Sequence, residues 1–179
     1  MTEQMTGLNL IGSLALKIHD LQMNAAVDVS SLSPTDCACL VSVAHQDTAQ
    51  SISDIAAICN LSHSAAVRLV ERLEKMGYVC KSKTRSDRRT VHVELTTDGY
   101  EMRDKILKAR RSAIEPVASK FSNSDWKVIE WAAGFILADL TESRLESEQI
   151  CRLCDAVACG GDNCPVEKKA LMLEAMATG

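Results

Sequence analysis

Three observations predict a mainly α-helical chain built around a winged helix-turn-helix. Apolar residues recur at helical spacing at both ends of the 179-residue sequence, a helix–turn–helix run fills the middle, and a period-2 pattern flanks a basic stretch directly after it. Aromatic residues make up only 3% of the chain, so the core must rest on Leu, Ile, Val, Ala and Met, which suits helices. The 46% hydrophobic and 25% charged composition is that of a globular protein.

The elements follow in order. Leu10, Ile11, Leu14, Ala15, Ile18, Leu21 and Ala25 place an amphipathic helix over roughly residues 8–28. Ser33-Pro34-Thr35-Asp36 starts a second helix running to about Ala44, with Ser33 as N-cap and Pro34 at N1, where a missing N–H is harmless. Ser51 and Asp54 form a capping-box-like pair opening a short helix over Ile52–Cys59. Ser62 caps a longer helix through about Met76, with Ala66, Leu69, Val70 and Leu73 on its inner face and Gly77 as its stop.

Tyr78-Val79-Cys80 and Val91–Leu95 then alternate as the two strands of a hairpin with a long charged tip. Thr97-Asp98-Gly99 opens a helix to about Lys120, bent or broken near Pro116. Ser122 and Asp125 cap another, carrying Trp126, Ile129, Ala133, Ile136, Leu137 and Leu140. Residues 141–148 read as helix end or linker, a cysteine-rich segment follows, and Val166–Ala177 forms a last short helix. The organisation is thus 1–30, a first long helix; 31–99, the winged unit; 100–148, further long helices; and 149–179, a cysteine module.

Net charge is −4, yet eight basic residues against three acidic ones lie between Arg68 and Arg89. Local charge sets the potential that a phosphate backbone meets. No run of about 18 apolar residues occurs, and Met1–Leu10 lacks the basic and apolar regions of a signal peptide, so no membrane partner and a cytoplasmic location are expected. There, eight cysteines point to metal or redox chemistry rather than a disulfide framework. No Gly-rich phosphate loop, catalytic triad pattern or flavin fingerprint is present, and no catalytic residue is assigned.

The stretches Ile52-Ser53-Asp54-Ile55-Ala56-Ala57, Leu61–Val79, Arg85-Ser86-Asp87-Arg88-Arg89 and Leu95-Thr96-Thr97-Asp98-Gly99 closely resemble the MarR (multiple antibiotic resistance regulator) family. The resemblance covers roughly residues 8–145, and 52–99 carry most of its specificity. It implies a homodimer joined by the first and last long helices, acting as a transcription regulator, a repressor in the first reading. Two half-sites of a pseudo-palindromic operator, about 10 bp apart, would be read in successive major grooves of double-stranded DNA. By the same resemblance Ser62, His63, Ser64, Ala65 and Arg68 meet base edges, with Arg68 bidentate to guanine. Arg72, Lys83, Arg85 and Arg88 add positive charge to that surface. Asp87 orients Arg89, which enters a minor groove or grips phosphate. Many relatives bind phenolic ligands, so the resemblance adds a small aromatic ligand in the dimer cleft as a further partner; His19 of the first helix reads as a partly exposed polar contact, with lining that cleft as the alternative.

The terminal module lies outside this pattern. Cys151, Cys154, Cys159 and Cys164 are spaced C-x2-C-x4-C-x4-C, with Pro165 directly after the last. Four soft thiolates on one short segment suit an iron–sulfur cluster, of unknown nuclearity, or zinc. The Cys-Pro ending favours the cluster, although the spacing is not that of ferredoxins; a metal-free thiol switch stands as the third reading. The cluster would make DNA affinity report redox, oxygen or iron status, by altering the dimer helix that the module follows. One alternative is a ligand-responsive repressor with a structural zinc tail; a remote one is an electron-transfer protein. Cys37, Cys39, Cys59 and Cys80 read as packing residues, with one thiol of the Cys37–Cys39 pair exposed. His45, at a helix end, suits an imidazolium, and His92 is expected to face solvent.

Overall fold

The computed structural model describes residues 3–45, 50–82 and 91–178. Helix α1 (Glu3–Ser30) lies along α5 (Thr97–Ala118), and between them the chain builds the winged unit: α2 (Pro34–Val43), β1 (Gln50–Ser51), α3 (Ile52–Ile58), α4 (His63–Lys75), β2 (Val79–Ser82) and β3 (His92–Leu95). Helix α6 (Asn123–Asp139) follows, then α7 (Arg144–Cys151), α8 (Ala156–Cys159), a 3-10 turn (Gly161–Asn163) and α9 (Pro165–Thr178). The fold is mainly helical with a small sheet, as the sequence predicts.

Short side-chain caps set several boundaries. Ser33 with Asp36, Ser51 with Asp54 and Ser122 with Asp125 each form a complete capping box, satisfying backbone N–H groups that a helix start leaves orphaned. Helix α4 stops where Gly77 takes φ +79°, letting its N–H reach the Glu74 carbonyl and the Tyr78 N–H reach that of Leu73. The sheet order is β1–β3–β2, all antiparallel, with Gln50 opposite Val93 and Val79 opposite Leu95. Strand β1 is absent from the sequence reading; two residues are too few to show a period.

The core joins Leu40 and Val41 of α2, Ile55 of α3, Leu69, Val70 and Leu73 of α4, Val79 and Val93 of the sheet, and Ile106 of α5. Gly99 seats α5 against the sheet: a Cβ there would stand 2.0 Å from the Tyr78 carbonyl oxygen. Helix α5 continues past Pro116 to Ala118, since a proline in the last turn interrupts little.

Leu10, Ile11 and Leu14 of α1 are exposed, because that half of the helix projects beyond the core, and α6 has no buried residue. Other expectations need correction. Residues 144–151 form a helix rather than a linker, capped by Ser143. Cys37 and Cys39 are both buried, because α2 is enclosed on nearly all sides. His92 is half-buried in β3.

Candidate nucleic-acid interface and thiol centre

The N-terminal end of α4 presents the residues expected to meet DNA. Ser62 caps the helix, its Oγ accepting from the Ala65 N–H at 3.3 Å and lying 3.2 Å from Ser64 Oγ. Ser62, His63, Ser64 and Arg68 are exposed and Ala65 is half-buried, while Ala66, Leu69, Val70 and Leu73 anchor the opposite face. A rigid helix therefore offers a small polar tip and one exposed guanidinium, a surface able to enter a major groove.

Arg72 is differently engaged. Its Nη2 donates to Asp36 Oδ1 at 2.5 Å and its Nε to Oδ2 at 3.3 Å, fastening α4 to α2. The Asp36 side chain is 4% exposed and that of Arg72 45%. Arg72 is thus a fastener of the reading helix, a role that helical spacing within α4 does not reveal. Lys81 pairs with Glu74 at 2.7 Å. Lys83, Arg85, Asp87, Arg88 and Arg89, the wing tip, lie outside the described residues.

The four C-terminal cysteines converge. Cys154 Sγ lies 3.6 Å from Cys159 Sγ, and Cys151 and Cys164 are near enough to influence their titration. The neighbouring Cys154 holds the Cys151 thiol below its ordinary pKa, while Cys151 and then burial push that of Cys154 up. Burial, followed by the charge of Cys154, raises the thiol of Cys159. Cys164 is buried and starts α9, its carbonyl accepting from the Lys168 N–H at 3.0 Å, with Pro165 at the first helical position. Among the described residues no three Cys, His, Asp or Glu side chains are placed so as to hold a metal ion.

The surroundings suit a thiolate centre. Arg110 of α5 is partly buried, and desolvation lowers its pKa; among the described residues its hydrogen bonds go to the neutral partners Gln22 Oε1 (3.0 Å) and Met23 Sδ (3.5 Å). Its charge is felt by Cys154 and Cys37. Four thiolates on one divalent ion carry a net −2, so a neighbouring cation bonded to neutral groups is a fitting complement. The 3.6 Å sulfur contact is close to the ~3.8 Å edge of a tetrahedron with 2.3 Å metal–sulfur bonds. The four thiols are donors of the type a soft metal takes, although as placed they are not gathered around one ion.

A cavity of about 640 Å³ opens between these thiols and the winged unit, where Ser42, His45, Gln50 and Ile58 line its far wall. Gln50 donates to the Ser42 carbonyl, but its buried Oε1 has no partner among the described residues. His45 Nε2 is 2.6 Å from the Cys154 carbonyl, and burial lowers its pKa. The imidazolium expected at that helix end is therefore disfavoured: desolvation outweighs the hydrogen bond to the Cys154 carbonyl. Gln149 donates to the Ala57 carbonyl at 2.9 Å, and Arg144 bridges Glu167 (2.7 Å) and Glu174 (2.8 Å) of α9. Neither contact had a signal in local sequence. The remaining thiols are quiet. Burial raises Cys37 and Cys39 and pushes Cys59 up to about 11. Only Cys80 among them is exposed, and His19 is exposed on α1.

Residues 32–99 match the winged helix DNA-binding domain family. The transcriptional repressor MprA of Escherichia coli (strain K12) is 24% identical over 90 residues, 50% of this chain and 51% of MprA, so the match spans about half the length of that relative. Among solved structures, a MarR family protein from Bacillus stearothermophilus superposes with a TM-score of 0.68 at 17% identity, over 79% of this chain and all of that one. A point mutant of S. aureus MepR bound to an oligodeoxyribonucleotide gives 0.56 at 16% identity, over 74% and 96%. Residues 32–99 thus have the winged-helix fold. The surrounding helices share the fold of the MarR family structure from Bacillus stearothermophilus. Among the described residues no helix is long and apolar enough to cross a membrane.

Proposed function

We propose that this protein is a homodimeric transcription regulator, a repressor, whose affinity for a pseudo-palindromic operator is set by a metal centre on Cys151, Cys154, Cys159 and Cys164. The observation that carries the reading is the position of the thiols. They lie between the winged unit and the long helices, with the Cys154 carbonyl bonded directly to His45 beside the helix-turn-helix. DNA binding is supported by the exposed tip of α4 and by the MepR complex, in which a protein of the same fold holds an oligodeoxyribonucleotide. Ser62, His63, Ser64, Ala65 and Arg68 are the base-reading set; Arg85, Arg88 and Arg89, with Lys83, supply phosphate or minor-groove contacts, Asp87 orienting Arg89.

The partner across α1 and α6 is a second copy. Trp131 and Phe135 of α6 stack with 70% and 64% exposure, and Leu8, Leu10 and Leu14 of α1 are similarly open. Such a surface is larger than scattered apolar residues explain and calls for burial. The two long helices that the family resemblance assigns to dimerisation are the ones that carry it.

Of the two occupants, an iron–sulfur cluster makes the regulator a sensor of oxygen, redox or iron. A second reading is one zinc ion as a structural staple, four thiolates being a common zinc donor set. In that case a small ligand controls DNA release, and the cleft of about 590 Å³ lined by Arg103, Leu107, Lys108 and Arg111 of α5 with Asp155–Ala158 is the place to seek it. Anaerobic purification followed by absorption spectroscopy and metal and sulfide analysis separates the two. Iron and sulfide with broad absorption between about 320 and 420 nm establish the cluster. A colourless protein with one zinc per chain establishes the staple, and a metal-free, colourless protein overturns both.

A further inference from the structure

The thiol segment touches the rest of the protein at points that fall on or beside its own cysteines. Gln149, two residues before Cys151, bonds to the carbonyl of Ala57 in the last turn of α3. His45, which ends the α2 segment ahead of β1 and α3, bonds to the carbonyl of Cys154 itself. Leu153, between those two cysteines, packs on the core of the winged unit. On the other side Pro165, next to Cys164, lies against α6: a Cβ added to Gly134 would meet its Cγ at 3.3 Å. One short segment thus spans from the first helix of the helix-turn-helix to the last long helix, inside a single subunit.

We infer that His45 and Gln149 are positioning residues that transmit the state of the thiol centre to the DNA-reading unit within one subunit. This rests on the four-thiolate reading above and changes its route: the signal passes straight into α3, not only through the dimer helices. Four sulfurs tied to one centre restrict the backbone from Cys151 to Cys164, and the Cys154 carbonyl and Gln149 side chain are then held where α2 and α3 need them. Releasing the sulfurs returns conformational freedom to that backbone, so the two bonds must be formed against its entropy. The helix-turn-helix then loses its fixed orientation relative to α6. Coupling of this kind changes affinity about 5- to 150-fold.

The test uses the full-length dimer, as purified without oxygen and after stripping with a chelator and reductant, against the duplex it selects from a random-sequence pool. The ratio of the two dissociation constants is measured for the wild-type protein, His45→Ala, Gln149→Ala and the donor-conserving His45→Gln. Metal content per chain and amide hydrogen exchange of α3 without DNA are read alongside. The expected result is a wild-type ratio of about 5 or more that falls at least threefold in both alanine variants, with metal content unchanged, and recovers in His45→Gln. Faster exchange of α3 amides on stripping should appear in the wild-type protein and vanish as a difference in the alanine variants, which would exchange fast in both states. A wild-type ratio that survives in both alanine variants overturns this inference alone. A wild-type ratio of one overturns the metal-control reading and this inference with it.

Discussion

The Asp36–Arg72 pair predicts an asymmetry that separates its two partners. The Asp36 carboxylate is 4% exposed, whereas the Arg72 side chain is 45% exposed. Removing the carboxylate by Asp36→Asn leaves a guanidinium that can turn to water, so the loss is that of a charge-assisted bond in a partly screened place, about 1–2 kcal/mol. Removing the cation by Arg72→Met strands a buried carboxylate. Breaking a buried pair in that way costs about 3–5 kcal/mol. Here Asp36 keeps the Ser33 hydroxyl at 2.7 Å and the Ser33 N–H at 3.3 Å, which brings the expected figure down to about 2–3 kcal/mol. The double variant should resemble Asp36→Asn, since no charge is then left buried. Equilibrium urea unfolding at one fixed protein concentration reads all three, because the stability of the proposed dimer depends on concentration. Asp36→Asn being the more damaging single change, or Arg72→Met lying within about 0.5 kcal/mol of wild type, would refute the reasoning.

Three further outcomes follow from single contacts. Gly99→Ala should destabilise the protein by about 3 kcal/mol or more in the same assay, because backbone must move to relieve a 2.0 Å approach to the Tyr78 carbonyl; a stable, wild-type-like variant would contradict the packing described. Iodoacetamide at pH 8 should label Cys80 long before Cys37, Cys39 and Cys59. With its pKa near 11, Cys59 is only about one part in a thousand thiolate at that pH, and its labelling rate should keep rising as pH approaches 11; mass spectrometry of digests gives the order. Trp131→Glu with Phe135→Glu should convert the dimer to a folded monomer by sedimentation equilibrium, since neither side chain packs in the core of one subunit. Retention of the dimer would move the interface elsewhere.

What the sequence made legible is local. Ser33, Ser51 and Ser122 each cap a helix with an acidic residue three positions on, and all three boxes form because the partners lie within one turn. The inner face of α4 follows from its strong helical period. What stayed hidden depends on segments far apart in the chain. His45 and Cys154 are separated by 109 residues, Gln149 and Ala57 by 92, and Asp36 and Arg72 by 36; no periodicity connects them. The same limit explains α1: its amphipathic stripe is real, but a stripe does not say whether it faces its own core or another copy. The four cysteines were visible as a motif, while their seat against α3 required the fold.

The central claim is that the thiol centre controls DNA affinity, and a titration of the selected duplex at one fixed salt concentration tests it most directly. Intact dimer and dimer stripped of metal under reducing conditions are compared, with Cys154→Ser as a third sample. The account predicts that stripped protein and Cys154→Ser bind alike and differ from intact protein by at least about fivefold. Equal affinity of all three for the same duplex would contradict it.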